Sequence, residues 1–305
     1  MKRNKRWNLI SVSVALFMVS TACSMTSPAD SLHFKSGKTC ECRVLRANHS
    51  TIFVELQTSP ASHSIESAFA MDDLQDITLD GIHPDASGKP ERTLSIETLA
   101  EIWGAMHPLI RLPGNNLALV GMNLSEMMVT SDDPALAAPA LSILEFIKTN
   151  SCDHSYKVQA ADAEMSQLER LKLFPQAKEA AERFVGTGNL ISLRLRANLT
   201  IGICGHEEMR LFLDDNPRWQ QDPRVHRERQ AIYERTLDSF SFTSLFGGET
   251  EQLSGRALYQ EARFRLLCGE RTEADRVYKQ LSTRYPSSKY IEQLKNELSI
   301  VIHAR

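Results

Sequence analysis

"GERTEADRVYKQLSTRYPSSKY", Gly269 to Tyr290, decides the architecture of this chain. Glycine opens the stretch, and apolar side chains follow at helical spacing through Ala274, Val277, Tyr278 and Leu281. Tyr285-Pro286 stops the helix, because proline disfavours helical geometry in the residue before it. Ser287-Ser288 then begins a second helix. Helix, tight stop and helix again is the pattern of a helical hairpin. The stretch therefore predicts a protein built from paired helices near its C-terminus.

A second stretch has the same form. "PQAKEAAERF" at Pro175 and "GERTEADRVY" at Gly269 each open on a breaker. Each places Glu-Ala four and five residues later and an aromatic four residues beyond the alanine. Ala180 is followed by Phe184, and Ala274 by Tyr278. A small residue admits a close neighbour, and the aromatic one turn on fills the remaining space. This resembles the second helix of a tetratricopeptide repeat, a module of paired helices. In the fuller copy, Leu258 to Pro286, Ala262 takes the small position of the first helix and Gly269 the turn. Ala274, Tyr278, Leu281 and Pro286 match the second-helix positions. Glu261 and Arg265 depart from the family pattern, which has an apolar and an aromatic residue there. The Pro175 copy has no clear first helix, and the two copies are not a whole number of repeats apart. "ADRVYKQLSTRYPSSKY" is similar to repeats of envelope lipoproteins that assist outer-membrane assembly.

Moving outward, helical periodicity extends back to Ser95. Ser95 is placed to cap a helix carrying Ile96, Leu99, Trp103 and Met106. Leu117, Val120, Leu124, Met127 and Met128 form another stripe, and its methionine pair reads as buried or as facing a partner. Asp133-Pro134 opens a helix with Leu141, Leu144 and Ile147. Breakers at Pro175, Gly186-Gly188, Gly205, Pro217, Pro223 and Gly247-Gly248 then predict helices of ten to twenty residues. Ahead of this body, "LHFKSGKTCECRVLR" and "STIFVELQ" alternate as strands, with Ile52, Val54 and Leu56 on one face. "AFAMDDLQDITL" adds a strand or strand pair. Several strands in so few residues predict a small, strongly bent sheet, which resembles SH3-like or Sm-like barrels.

The fold expected is mostly α, with a small N-terminal β module followed by a tetratricopeptide-like array. Residues 31–80 are the β module, 81–94 a Pro/Gly/Asp-rich linker, and 95–305 the helical domain, with the repeat at about 255–290.

The first residues address the compartment. "MKRNKRW" is basic, "LISVSVALFMV" is a short apolar run, and "STAC" places small residues before Cys23, the form of a signal peptide over 1–22. The run is about half of the roughly 20 residues that span a bilayer, against a signal anchor. "VSTAC" resembles the lipobox of bacterial lipoproteins. That resemblance implies cleavage before Cys23, lipid on Cys23, a tether over 23–30 and, since Ser24 follows, the outer membrane facing the periplasm. A plain signal peptide cut nearby is the other reading.

The chain has 35 basic and 38 acidic side chains. Without the four basic residues ahead of Cys23, 31 stand against 38, a net charge of −7. A mildly acidic protein is a poor match to nucleic acid or anionic lipid surfaces. At 42% hydrophobic it has enough apolar surface for a core. Beyond Cys23 five cysteines remain, an odd and scattered set unlike a disulfide framework. Cys204 and Cys268 read as buried thiols.

No motif names a reaction. "SGKT" at Ser36 lacks the leading glycine of a phosphate loop and reads as a turn. "CGHEEMR" at Cys204 lacks the H-E-x-x-H spacing of a zinc site; Gly205 is expected to end one helix and the acids to open the next. "CDH" at Cys152 reads as a helix start capped by Asp153. No nucleophile elbow occurs. No cofactor or metal is expected. Two functions stay open. One is a non-enzymatic envelope lipoprotein, held to the membrane through Cys23, that presents a groove to other envelope proteins. The other is an envelope hydrolase or carbohydrate-binding protein with a site assembled from scattered residues.

Overall fold

The computed structural model describes residues 30–57, 64–79, 94–131, 133–186, 190–248 and 251–303. It is mostly α, with a five-stranded antiparallel sheet at the N-terminal end and an array of helices after it. Cys23 and most of the 81–94 linker lie outside the described residues.

The strands are β1 (Asp30–Phe34), β2 (Thr39–Ala47), β3 (Thr51–Gln57), β4 (Ser64–Ala70) and β5 (Leu74–Thr78), in the order β4-β3-β2-β1-β5. β2 pairs with β1 at one end and β3 at the other, and its register shifts between Val44 and Arg46. Such an irregularity bends a strand, so one long strand serves both halves of a strongly curved sheet. "SGKT" is the β1–β2 turn, where Gly37 takes a φ of +82°. The alternation read in β3 places Ile52 and Val54 fully inside, with Leu32 of β1 and Ile77 of β5.

Among the described residues ten α-helices follow: α1 (Ile96–Met106), α2 (Leu117–Thr130), α3 (Ala137–Asn150), α4 (His154–Arg170), α5 (Phe174–Glu182), α6 (Ile191–Asp215), α7 (Pro223–Phe246), α8 (Arg256–Leu267), α9 (Arg271–Arg284) and α10 (Lys289–His303). Caps fall where the sequence places them. Ser95 Oγ accepts from Thr98 N at 3.3 Å, Asp133 from Ala135 N at 2.9 Å and Asp153 from Ser155 N at 2.7 Å. Met128 is buried and Met127 packs beside it in the core of α1–α4.

Stacking is one-dimensional. Consecutive helices pack as antiparallel neighbours, and each of α2, α4, α6 and α8 also contacts the next even-numbered helix. The odd-numbered helices make no comparable contact with one another among the described residues. The even helices thus form a continuous row, and the odd helices lean on it from one side, as in a solenoid of hairpins.

Several expectations change. Gly205 does not end a helix: α6 runs unbroken for 25 residues. A Cβ at Gly202 would lie 2.5 Å from the Phe240 ring, and one at Gly205 2.2 Å from Thr236 Oγ1. Both glycines let α7 cross closely, and that packing outweighs the roughly 1 kcal/mol by which glycine disfavours a helix. At 25 and 24 residues, α6 and α7 exceed the ten to twenty expected. This long hairpin separates the two related ones and explains why they are not a whole number of repeats apart.

The Pro175 copy does have a first helix, α4. Its turn aligns with the later one through Lys172 and Gly269, not through Pro175 and Gly269. Lys172 N donates to Glu169 O at 3.0 Å and Leu173 N to Leu168 O at 2.9 Å; Gly269 N donates to Leu266 O at 3.0 Å and Glu270 N to Arg265 O at 2.8 Å. Both are the paired bonds of a Schellman turn, with Lys172 at φ +58° and Gly269 at φ +82°. In this alignment Ala177 matches Ala274, and both are fully buried.

The β module is not set apart from the helices. Leu109 and Leu117 are buried in one core with Leu32, Val54 and Ile77, with Ile102 and Met106 packed against it. Ile77 N donates to Pro113 O at 3.1 Å, and a Cβ at Gly114 would meet Ile77 O at 2.9 Å. The sheet covers the end of the array.

Candidate partner-binding groove

Across the even-numbered row runs a groove of about 540 Å³. From α2 come Leu119, Met122, Asn123 and Glu126, spaced so that they share a helical face. α4 contributes a largely polar stripe, Gln159, Asp162, Ser166 and Arg170, with Val158 and Ala163 beside it. α6 adds Ser192 and Leu193, and Leu253 comes from the turn ahead of α8. Helical periodicity makes each stripe, and stacking the even helices brings the stripes together.

A buried polar framework holds the walls. Ser125 Oγ lies 2.8 Å from both Gln167 Oε1 and Ala140 O, tying α2 to α4 and α3. Behind the α4–α6 wall, Glu169 accepts from Thr200 Oγ1 at 2.5 Å and from Arg256 Nη2 at 2.8 Å, with Arg196 Nη2 at 3.3 Å. One carboxylate thereby joins α4, α6 and α8. Arg196 also lies 3.8 Å from Asp162 Oδ1. Burial raises the Asp162 carboxyl above its ordinary range; Arg196 works against this and Glu169 adds to it. Among the described residues one buried donor in the groove, Asn123 Nδ2, has no acceptor, while Nε and Nη2 of Arg196 behind it meet Asp162 and Glu169 as ion pairs outside hydrogen-bond geometry. Buried N–H groups are nearly always paired, so an orphan donor marks a place where an acceptor is favoured.

The residues singled out in the repeat stretch pack at the other end of the array. Ala262, Ala274 and Leu281 are fully buried, and Gly269 is in the turn. The inward residue one turn after Ala274 is Val277, 3% exposed, whereas Tyr278 is half-buried at the edge of that core. Three residues, not four, separate the inward positions because α9 turns its Ala274–Val277–Leu281 face to α8. Pro286 is exposed and lies past the end of α9, so it does not pack. Glu261 and Arg265 replace apolar contacts with an ion pair of 2.9 Å; Arg265 also reaches Glu270 at 3.1 Å, and Tyr233 donates to Glu270 at 2.6 Å.

The Cys204 cluster points several ways. Cys204 Sγ donates to Phe174 O at 3.4 Å, and burial pushes its thiol up to about 12. His206 faces Phe264. Glu207 binds Arg210, whereas Glu208 takes Lys178 and Arg235. Among the described residues no group of three or more His, Cys, Asp or Glu side chains is placed to hold a metal ion, and no helix is long and apolar enough to cross a membrane.

The sequence reading singled out none of these groove residues: on α2 it found the apolar stripe of Leu117, Val120, Leu124, Met127 and Met128, and nothing local says that α2 and α4 present a shared groove. No protein-family model, curated protein or solved structure matches the chain.

Proposed function

We propose that the protein is a non-enzymatic scaffold of the bacterial cell envelope, anchored through lipid on Cys23, whose α2–α4–α6 groove receives a segment of another envelope protein. The observation that carries this reading is the groove with its orphan donor. Leu119, Met122 and Leu193 offer apolar contact, Asp162 and Arg170 offer both signs of charge, and Asn123 Nδ2 awaits an acceptor. A peptide segment supplies all three in the form of apolar side chains, charges and backbone carbonyls. Firm membrane attachment needs more than one acyl chain, which a lipidated N-terminal cysteine provides.

A photo-crosslinking residue at Ser166 of the full-length chain, expressed in its native host, tests the reading. One discrete protein adduct is expected from Ser166. None is expected from the same probe at Lys279, which is exposed on α9. Asp162→Lys should remove the adduct, and Cys23→Ser should release the protein from membranes. No adduct at Ser166, or equal adducts at both positions, overturns the groove. Cleavage of an envelope polysaccharide by the purified chain, lost in Asp162→Asn, would replace the scaffold with a hydrolase.

A further inference from the structure

The α6–α7 hairpin carries a second surface, away from the groove, that its own chain leaves unfinished. Leu190 and Ile191, at the start of α6, are each 52% exposed. Leu245 and Phe246, at the end of α7, are 68% and 62% exposed. These ends adjoin, since Thr243 Oγ1 donates to Leu195 O at 3.1 Å. Phe242 lies one turn back on α7, its ring centroid 5.0 Å from that of Phe246. Arg194 places its guanidinium 5.3 Å from the centre of the Phe242 ring. Single exposed apolar side chains are ordinary, but aromatic and aliphatic groups clustered around an arginine are the composition of an interface centre.

Two charges on this surface are unmatched. Arg194 makes no ion pair with the described residues, and its Nε is buried without an acceptor. Asp238, exposed on α7, has no ion pair or side-chain hydrogen bond among the described residues. Asp238, Phe242 and Leu245 follow one another at helical spacing on one face of α7. Elsewhere on the hairpin some charges are used, as where Glu208 binds Arg235 at 2.7 Å and Lys178 at 3.3 Å, but Arg194 and Asp238 are the pair that flanks this apolar cluster.

We propose that this surface is the contact between two copies of the chain, related by a twofold axis near Phe242, with Arg194 of each copy meeting the partner's Asp238. A twofold contact uses the same patch on both sides, so the patch must hold both members of every pair it makes. Arg194 and Asp238, neither ion-paired among the described residues, stand beside an apolar centre and meet that condition. A lipid surface or a purely acidic partner would leave Asp238 unmatched. Leu245 and Phe246 supply the buried apolar area, and the two ion pairs set the register. The inference is independent of the groove, which uses other side chains of α6, Ser192 and Leu193.

Sedimentation velocity of the full-length chain in density-matched detergent, over dilutions from about 100 µM, reads the assembly directly. A concentration-dependent monomer–dimer equilibrium is expected. Leu245→Asp, at an exposed position, should abolish the dimer with an unchanged melting curve. Arg194→Asp and Asp238→Arg should each weaken association by at least about tenfold, and together restore it to within about threefold of wild type. A wild type that stays monomeric overturns the proposal. So does a dimer that survives Leu245→Asp, the outcome expected if anchored chains merely share a micelle. A double reversal no better than the single ones also overturns it, as does binding to phosphatidylcholine or phosphatidylglycerol vesicles through Leu245 and Phe246 with no dimer.

Discussion

His206 is held neutral by its place in α6. Its ring centroid lies 5.9 Å from that of Phe264, and burial, then Arg263, pushes its pKa from 6.5 down to about 4; Arg210 acts the same way and Glu207 opposes. The unfolded chain takes up this proton near 6.5 and the folded chain only near 4. Stability from the neutral imidazole is therefore fully present above about 6.5 and is lost as pH falls toward 4. His206→Gln should flatten that part of the acid limb. Thermal melts should show wild type losing stability through the window more steeply than the variant, with the two curves parallel above it. An equally steep limb in the variant would place the titration in other groups. The string "CGHEEMR" does not reveal this environment. His206 is half-buried where α8 crosses α6, and α8 lies some fifty residues on, a separation that local pattern does not bridge.

The helical elements were legible to different depths. Caps at Ser95, Asp133 and Asp153 are local chemistry, and the structure has all three. Gly205 misled because a glycine that breaks a helix and one that admits a neighbour are identical in sequence; only Thr236 tells them apart. Lys172 was overlooked because a lysine does not announce a left-handed turn, whereas Gly269 does. The two equivalent turns make a controlled pair. A side chain in the left-handed region costs roughly 1–2 kcal/mol, partly offset by the greater freedom glycine has when unfolded. Lys172→Gly should stabilise the protein by about 0.5–1 kcal/mol, and Gly269→Ala should destabilise it by about 1 kcal/mol. A Cβ at Gly269 meets nothing within 4 Å, so the second effect is purely conformational. Denaturant melts decide the matter: a destabilised Lys172→Gly would mean that the lysine is held in that turn by something other than backbone geometry.

At the scale of the molecule, each helix packs mainly on its near neighbours, with Glu169 of α4 reaching α8 through Arg256, and the β sheet closes one end. In such an array stability is a sum of local units and the contacts between them, so damage stays near its origin. The sequence shows a β head and a helical body, but not that they share a core, because Leu109 and Leu117 look like ordinary apolar residues of a helix end. Fully buried between the sheet and α1–α2, Leu109 fastens the two parts. Leu109→Ala should cost roughly 2–5 kcal/mol through lost transfer energy and the cavity left behind. Hydrogen exchange read by mass spectrometry shows where that cost falls. Faster exchange is expected together in β2, β5, α1 and α2, whose amides depend on this core. α8, α9 and α10 should keep their protection, since Leu258, Ala262, Ala274, Val277 and Leu281 form a separate core with Leu294 and Leu298. Equal acceleration along the whole chain would show one cooperative unit instead. The C-terminal hairpin would then depend on the distant sheet, and its packing would no longer account for its stability.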